Sequence, residues 1–208
     1  MQSNSLSIQD QLTEQCEQQG TSLIFLAPAS DFEASILGVL RNEAGGHQTV
    51  YSRRGVLGAM MAPFKHPDGT TEPGMDAEEA AEFYDFNTAG AYVQDGPVFV
   101  SDGIDDPEVP CAPGELRNWL EYLGDDGEPL MLLDPKFDSA LVGSCEGICS
   151  EPGVLYSLAE LRAVLQADEK SAIDLELALK QLIDSVPKGP GKPKWLAGDF
   201  NQFQKCTE

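Results

Sequence analysis

Two apolar runs, each ended by proline, set the pattern of the chain: LIFLAP at 23–28 and LMLLDP at 130–135. Each leads into a similar series of small, acidic and apolar positions, DFEASILGV at 31–39 and KFDSALVGS at 136–144. Phe32 and Gly38 recur as Phe137 and Gly143, with the apolar pairs Ile36-Leu37 and Leu141-Val142 between them. Continuing without a gap, Val50-Tyr51-Ser52 falls on Leu155-Tyr156-Ser157, Val56 on Leu161 and Met60 on Leu165. Beyond Met61 the first segment carries an extra loop, APFKHPDGTTEPG. The acidic helix starts DAEEAAEFYDFN and DLELALKQLIDS follow, and GPVFV then meets KPKWL. Few identities with a persistent order of elements are what an internal duplication leaves behind.

The periodicities predict the same elements twice. An apolar strand (23–27, 130–134) precedes a second strand (36–39, 141–143) and a third ending at Tyr51 and Tyr156, with the turn-forming stretches EAGGHQ and GICSEPG between the last two. Ser157 with Glu160 reads as a capping box ahead of Leu158, Leu161 and Leu165 at helical spacing. Asp76 with Glu79 opens another helix, whose stripe Ala80, Tyr84, Asn87 and Ala91 predicts an inward-facing Asn87; Leu175, Leu179, Leu182 and Val186 form the counterpart stripe. PVFV and PKWL close each unit as short strands. The expected fold class is therefore α+β: two related β-β-β-α-α-β modules joined by an acidic helical connector. The boundaries are an N-terminal helix at 1–20, module A at 21–102, the connector with its helix at 103–128, module B at 129–200 and a tail at 201–208. A unit of roughly 70–80 residues is marginal alone, so the two are expected to pack as a covalent pseudo-dimer, either as a monomer or within a homodimer. The shared Gly38 and Gly143 predict a positive φ or the close approach of a neighbouring strand.

Two helices lie outside these modules. SIQDQLTEQCEQQG has Ser7 as N-cap, Ile8, Leu12 and Cys16 on one face and Gly20 as its stop. PGELRNWLEYLG places Leu116, Trp119, Leu120 and Leu123 on one stripe closed by Gly124, a strut rather than a tether.

Charge changes the picture more than composition does. Hydrophobic content of 41% in 208 residues supports an ordinary core, but 35 acids against 13 Lys and Arg leave a net charge of −22. The stretch 105–128 holds eight acids against one base, Arg117. Such a surface repels nucleic acid and anionic lipid and suits a protein partner with a basic surface. Asp105, Asp106, Glu108, Asp125, Asp126 and Glu128 flank the strut and form the expected acidic binding face. The first twenty residues lack a basic start and an apolar core, and no run of roughly 18 apolar residues occurs, so neither a signal peptide nor a spanning helix is expected. Five cysteines without framework spacing predict reduced thiols and a cytoplasmic location.

The candidate chemistry is thin. Gly143-Ser144-Cys145-Glu146-Gly147 has the form of a nucleophile elbow, but no helix follows it directly and both histidines, His47 and His66, lie upstream. It reads as a small turn with a half-buried thiol. Cys145 and Cys149 lack the second pair that a zinc site needs. DGIDDPE and GDDGE miss the ligand order of a calcium loop, and GPGKPK fails the phosphate-loop pattern. No cofactor is implied. Asn87, with Tyr84 and Tyr92 beside it, is the polar residue of most interest, because a helix interior disfavours asparagine; facing inward, it either satisfies a buried backbone group or contributes to a ligand pocket.

The run FEASILGV, then VYS, then GMDAEEAAEFYDFNTAGAYVQDGPVFV resembles a family of small proteins that recur in bacteriophage and prophage genomes. Its motif reads GM-x-x-EEA-x-E-[FY]-x-x-[FY]-NT, matched here by residues 74–88. The resemblance covers 31–100, is faint over 136–196, and implies a phage or mobile-element setting without a defined activity. The second segment has KQLIDSV where the first has EFYDFNT, so Asn87 has no counterpart. The expected function is that of a non-enzymatic acidic binding protein, an inhibitor or nucleic-acid mimic engaging a basic host protein. A scaffold element of a phage assembly is the first alternative, and a ligand-binding protein or enzyme with a site near Asn87 the second.

Overall fold

Past a four-residue helix, α2 (Ala29–Phe32), Asn42 turns the chain between the first two strands, β1 (Ile36–Arg41) and β2 (His47–Ser52). Its carbonyl accepts from Gly45 N at 3.0 Å and its side-chain Oδ1 from Gly46 N at 2.8 Å, while Gly45 takes a left-handed φ of 88°. The result is an antiparallel hairpin. The computed structural model describes residues 6–42, 44–66, 68–91, 93, 95–101, 115–126, 129–146, 152–167 and 172–198.

Serine then converts strand into helix in both halves. Ser52 Oγ accepts from Gly55 N at the start of α3 (Arg53–Met61), and Ser157 Oγ accepts from Glu160 N at the start of α6 (Leu158–Gln166). A parallel strand pair needs a crossover, and helices supply it twice. In the first half α3 and α4 (Ala77–Phe83) carry the chain from β2 to β5 (Val98–Ser101). In the second, α6 and α7 (Ala172–Ser185) carry it from β7 (Val154–Ser157) to β8 (Lys194–Ala197). Tyr51 pairs with Phe99 and Tyr156 with Trp195. The halves meet along two antiparallel seams, β5 with β6 (Leu141–Glu146) and β8 with β1. The six strands thus close into one barrel in the order β1-β2-β5-β6-β7-β8, and the protein is α+β.

Alternation along the strands sorts the side chains. Leu40, Val50, Val98, Val100, Cys145, Leu155 and Leu196 form one cluster, drawn from all six strands, that fills the barrel. Val39, Tyr51, Phe99, Val154, Tyr156 and Ala197 point the other way and pack beneath the helices in a second, larger cluster. Cys145 therefore sits in a strand opposite Val100, in the barrel interior, and not in the turn that its glycine-rich surroundings suggest.

The shared glycines lie on the seams. Gly38 and Gly143 have φ of 147° and 154°, and each follows a register shift in its hairpin. A β-carbon on Gly38 would overlap the carbonyl oxygen of Ala197, and one on Gly143 the carbonyl oxygen of Ser101. Both reasons for glycine, the backbone conformation and the close approach, apply together.

Three expectations need correction. The apolar runs at 23–27 and 130–134 are not strands. A closed barrel has no free edge to offer them, so they lie extended outside it, with Leu23, Phe25, Leu26, Leu130, Leu132 and Leu133 against the outer cluster. Tyrosine hydroxyls take the place of a ladder: Leu26 N donates to Tyr51 Oη at 3.1 Å and Leu133 N to Tyr156 Oη at 2.9 Å. Each half thus gives the barrel three strands, one fewer than the four expected. The extra loop after Met61 instead holds a two-stranded hairpin, β3 (Phe64–Lys65) with β4 (Thr71–Glu72).

The second correction concerns the end of the strut. Helix α5 (Leu116–Asp126) buries Trp119 and Leu120 as expected, but it continues through Gly124. Glycine is used there because Leu130 N would lie 3.1 Å from a β-carbon. Arg117 fixes this helix to the second half: its guanidinium spans both Asp138 oxygens at 2.6–2.9 Å and donates to the Leu133 carbonyl at 2.6 Å. In α1 (Ile8–Gln19), capped by Ser7 and ended by a left-handed Gly20, Leu12 and Cys16 are buried but Ile8 is exposed. The third correction, at Asn87, belongs to the site.

Candidate functional site: an acidic, aromatic helix end beside an apolar cavity

Helix α4 begins with a complete capping box. Asp76 Oδ1 accepts from the Glu78 and Glu79 amides at 3.0 and 2.9 Å, and Glu79 Oε2 accepts from Asp76 N at 3.2 Å. Ala80 turns into the core, and Tyr84 follows it one turn later, fully buried and edge-on to Phe99 with ring centroids 5.4 Å apart. The Arg53 guanidinium lies over the Tyr84 ring, 5.4 Å from its centroid.

At Tyr84 the helix changes kind. Tyr84–Ala89 is π-helical, so bonding runs from i to i+5 and each turn holds an extra residue. In an α-helix Asn87 would follow Tyr84 onto the inner face. The wider turn brings Thr88 and Ala89 there and leaves Asn87 exposed. The inward Asn87 of the α-helical stripe is therefore overturned by one change of helical pitch. Gly90 closes the turn, and a β-carbon there would overlap the Asp85 carbonyl oxygen.

The outward face is unusual. Phe86 is 83% exposed and Phe83 42%, and Glu78, Glu79, Glu82 and Asp85 around them are all exposed. Between Lys65 and Arg117 the sequence carries thirteen Asp and Glu and no Lys or Arg. Met75, Glu79, Glu82, Phe83, Asp85, Phe86 and Asn87 line one open groove on this face.

Asn87 also lines a second, smaller space. A cavity of about 200 Å³ lies between the extended segment 24–27, the small residues Thr88, Ala89 and Ala91, and Val93, Pro97 and Phe99. Its walls are pinned. Thr49 Oγ1 donates to the Ile24 carbonyl at 2.9 Å, and Tyr51 Oη holds Leu26 N. Opposite, Gln48 Nε2 donates to the Gly96 carbonyl at 2.8 Å and Asn42 Nδ2 to Asp95 at 3.1 Å. The lining is mainly apolar, with Asn87 and Thr88 as its polar side chains and no charged one, so the space accepts a hydrocarbon group better than an ion.

Of the residues expected at a site, Tyr84 is core and Asn87 is surface, while Tyr92 lies outside the described residues. Asp105, Asp106, Glu108 and Glu128 also lie outside them. The backbone of Asp125 and Asp126 forms the last turn of α5. Cys149 is likewise outside, and among the described residues no group of three or more His, Cys, Asp or Glu is placed to hold a metal ion. Burial raises the Cys16 thiol above its ordinary pKa, which favours the protonated form. His47 is pushed below the ordinary histidine value by burial and then by the neighbouring Arg41. No helix among the described residues is long and apolar enough to cross a membrane. The exposed Phe83–Phe86 pair escapes sequence reasoning because aromatic residues beside a helix stripe read as core; the acids that precede Phe86, at Glu78, Glu79, Glu82 and Asp85, were the available signal.

Compared with known proteins, the chain matches no family model, no curated protein and no solved structure.

Proposed function

We propose that this chain is a non-enzymatic binding protein that docks on a basic surface of another protein through the acidic, aromatic face of α4 and its π-helical end. The observation that carries the reading is Phe86, 83% exposed among Glu79, Glu82 and Asp85. A large aromatic ring left in water costs solvation, and a ring rimmed by charge is the usual anatomy of an interface anchor. The acids steer a basic partner and set its orientation. The resemblance of residues 31–100 to a small phage protein family supports a mobile-element setting in which the partner is a host protein. The same surface serves an inhibitor that occupies a nucleic-acid-binding site. A photo-crosslinking residue at position 86, with the exposed Leu177 of the second half as control, tests this in bacterial lysate. Leu177 is 53% exposed. Position 86 should capture a basic protein at low salt and lose it near roughly 0.5 M salt, where screening shortens to a few Å. Equal capture at both positions would count against the reading.

We also infer an internal duplication whose unit includes the leading helix. The glycine bulges, the tyrosine-to-backbone bonds, the serine caps and the parallel pairs recur in both halves. Helix α1 meets the first half at Glu33, where Gln9 N donates to its carboxylate at 3.5 Å, as α5 meets the second at Asp138. A chain carrying two first halves should still melt cooperatively; a molten product would argue against shared origin.

A further inference from the structure

The groove and the cavity share Asn87, yet they ask for different chemistry: the groove presents carboxylates and two phenylalanines, the cavity a mainly apolar lining in which Asn87 and Thr88 are the polar side chains. We infer that the ligand of this face is a basic peptide segment that inserts one large apolar side chain into the cavity between the π-helix and residues 24–27. This rests on the docking reading above and names what that docking recognises.

Size selects the occupant. Sites for whole small molecules run to about 300–1,000 Å³, and about 200 Å³ falls short of that while exceeding the space that admits a benzene-sized group. A single leucine or phenylalanine side chain matches it. Charge selects the surroundings of that side chain. Glu79, Glu82 and Asp85 stand along the groove, so the residues flanking the anchor are Lys or Arg. Rigidity favours the same conclusion, because the cavity walls are held by Thr49, Tyr51, Gln48 and Asn42, and an anchor entering a preformed space loses less on ordering its surroundings. The local sequence explains the space: the wide π-turn ends in Thr88, Ala89, Gly90 and Ala91, residues too small to fill what the turn opens.

The test uses the full chain and two lysine-rich peptides that differ only in a central Leu or Ala, read by fluorescence anisotropy and by methyl NMR. The Leu peptide should bind about tenfold tighter or more than its Ala twin, the ratio expected for burying one such side chain. It alone should shift the methyl resonances of Ile24, Leu26 and Ala89. The variant Ala89→Leu should erase the difference while leaving the Ala peptide's affinity unchanged; should that variant fail to fold, the methyl shifts of the unmodified chain decide. Equal affinities with unmoved methyls would overturn the anchor and leave the docking face standing. Binding of neither peptide at low salt would overturn both. Methyl shifts that depend on protein concentration without peptide would place a second copy in the cavity and overturn the peptide assignment.

Discussion

The first crossover ends in a helix that changes pitch; the second does not. Helix α4 runs seven residues and widens into six of π-helix, whereas α7 keeps one pitch for fourteen. Along α7 and just past its end, Leu175, Leu179, Leu182, Ile183 and Val186 all pack on the outer cluster. Along α4, burial reaches Tyr84 and then gives way to exposed Phe86 and Asn87 and to small residues beside a cavity. The barrel beneath is paired in the same way in both halves, so the difference lies in the layer above it. Both helices leave a large apolar residue in water, Leu177 on α7 and Phe86 past α4, but only the first half sets two exposed phenylalanines beside a cavity. Surface of that kind, next to a pinned scaffold, is where a partner gains most.

The largest effect is expected where the halves are most alike. Gly38→Ala and Gly143→Ala should each cost about 3 kcal/mol or more, since both a left-handed φ and an overlap with a neighbouring carbonyl are involved. Denaturant melts should show similar losses; a mild effect at one seam alone would show that its strand can move aside. Next, the leading helices should differ. Arg117→Ala removes a part-buried guanidinium from Asp138 and the Leu133 carbonyl and should cost about 1–3 kcal/mol, discounted for the partial exposure of Asp138. Glu33→Ala, which loses only the long contact from Gln9, should cost about 0.5 kcal/mol or less. Equal costs would place the two helices on the same footing.

The tyrosines come third. Tyr156→Phe strands the buried Leu133 amide and should cost about 1–2 kcal/mol, while Tyr51→Phe, whose partner is half-buried, should cost about 1 kcal/mol or less. Smallest is a pH effect shared by both. Burial raises the pKa of Tyr51 and of Tyr156 above the ordinary value near 10. The fold therefore favours the neutral phenol, and its contribution is fully present below about pH 10 and lost as pH climbs through the folded-state values. Melting temperatures between about pH 9 and pH 11 should fall for the parent chain and fall less for the double phenylalanine variant.

Much of the frame was legible because it depends on near neighbours. The caps at Asp76 and Ser157 follow from local spacing, and the match of GPVFV with KPKWL placed Phe99 and Trp195 at equivalent positions beside Tyr51 and Tyr156. Gly38 and Gly143 stood out because the same residue type recurred at one offset. What failed depends on closure. An apolar run such as LIFLAP reads as a strand until a closed barrel removes the edge it would join, and GSCEG reads as a turn until Val100 pairs with Cys145. The site failed for a subtler reason. A stripe analysis assumes one pitch, and the residues YDFNTA do not announce that the helix will widen. Leaving Asn87 out and bringing Ala89 in is a change no fixed period could foresee.

Barrel closure also dictates an order of events during synthesis. Strands β1 and β5 are the outer strands of the first half, and their seam partners, β8 and β6, belong to the second. Leu40 finds Leu196 only after the intervening 155 residues have left the ribosome. Until then the nascent first half holds two unpaired edges, and the long β1–β8 loop must close last and slowly. A nascent chain halted before β8 should consequently be the species most in need of a chaperone.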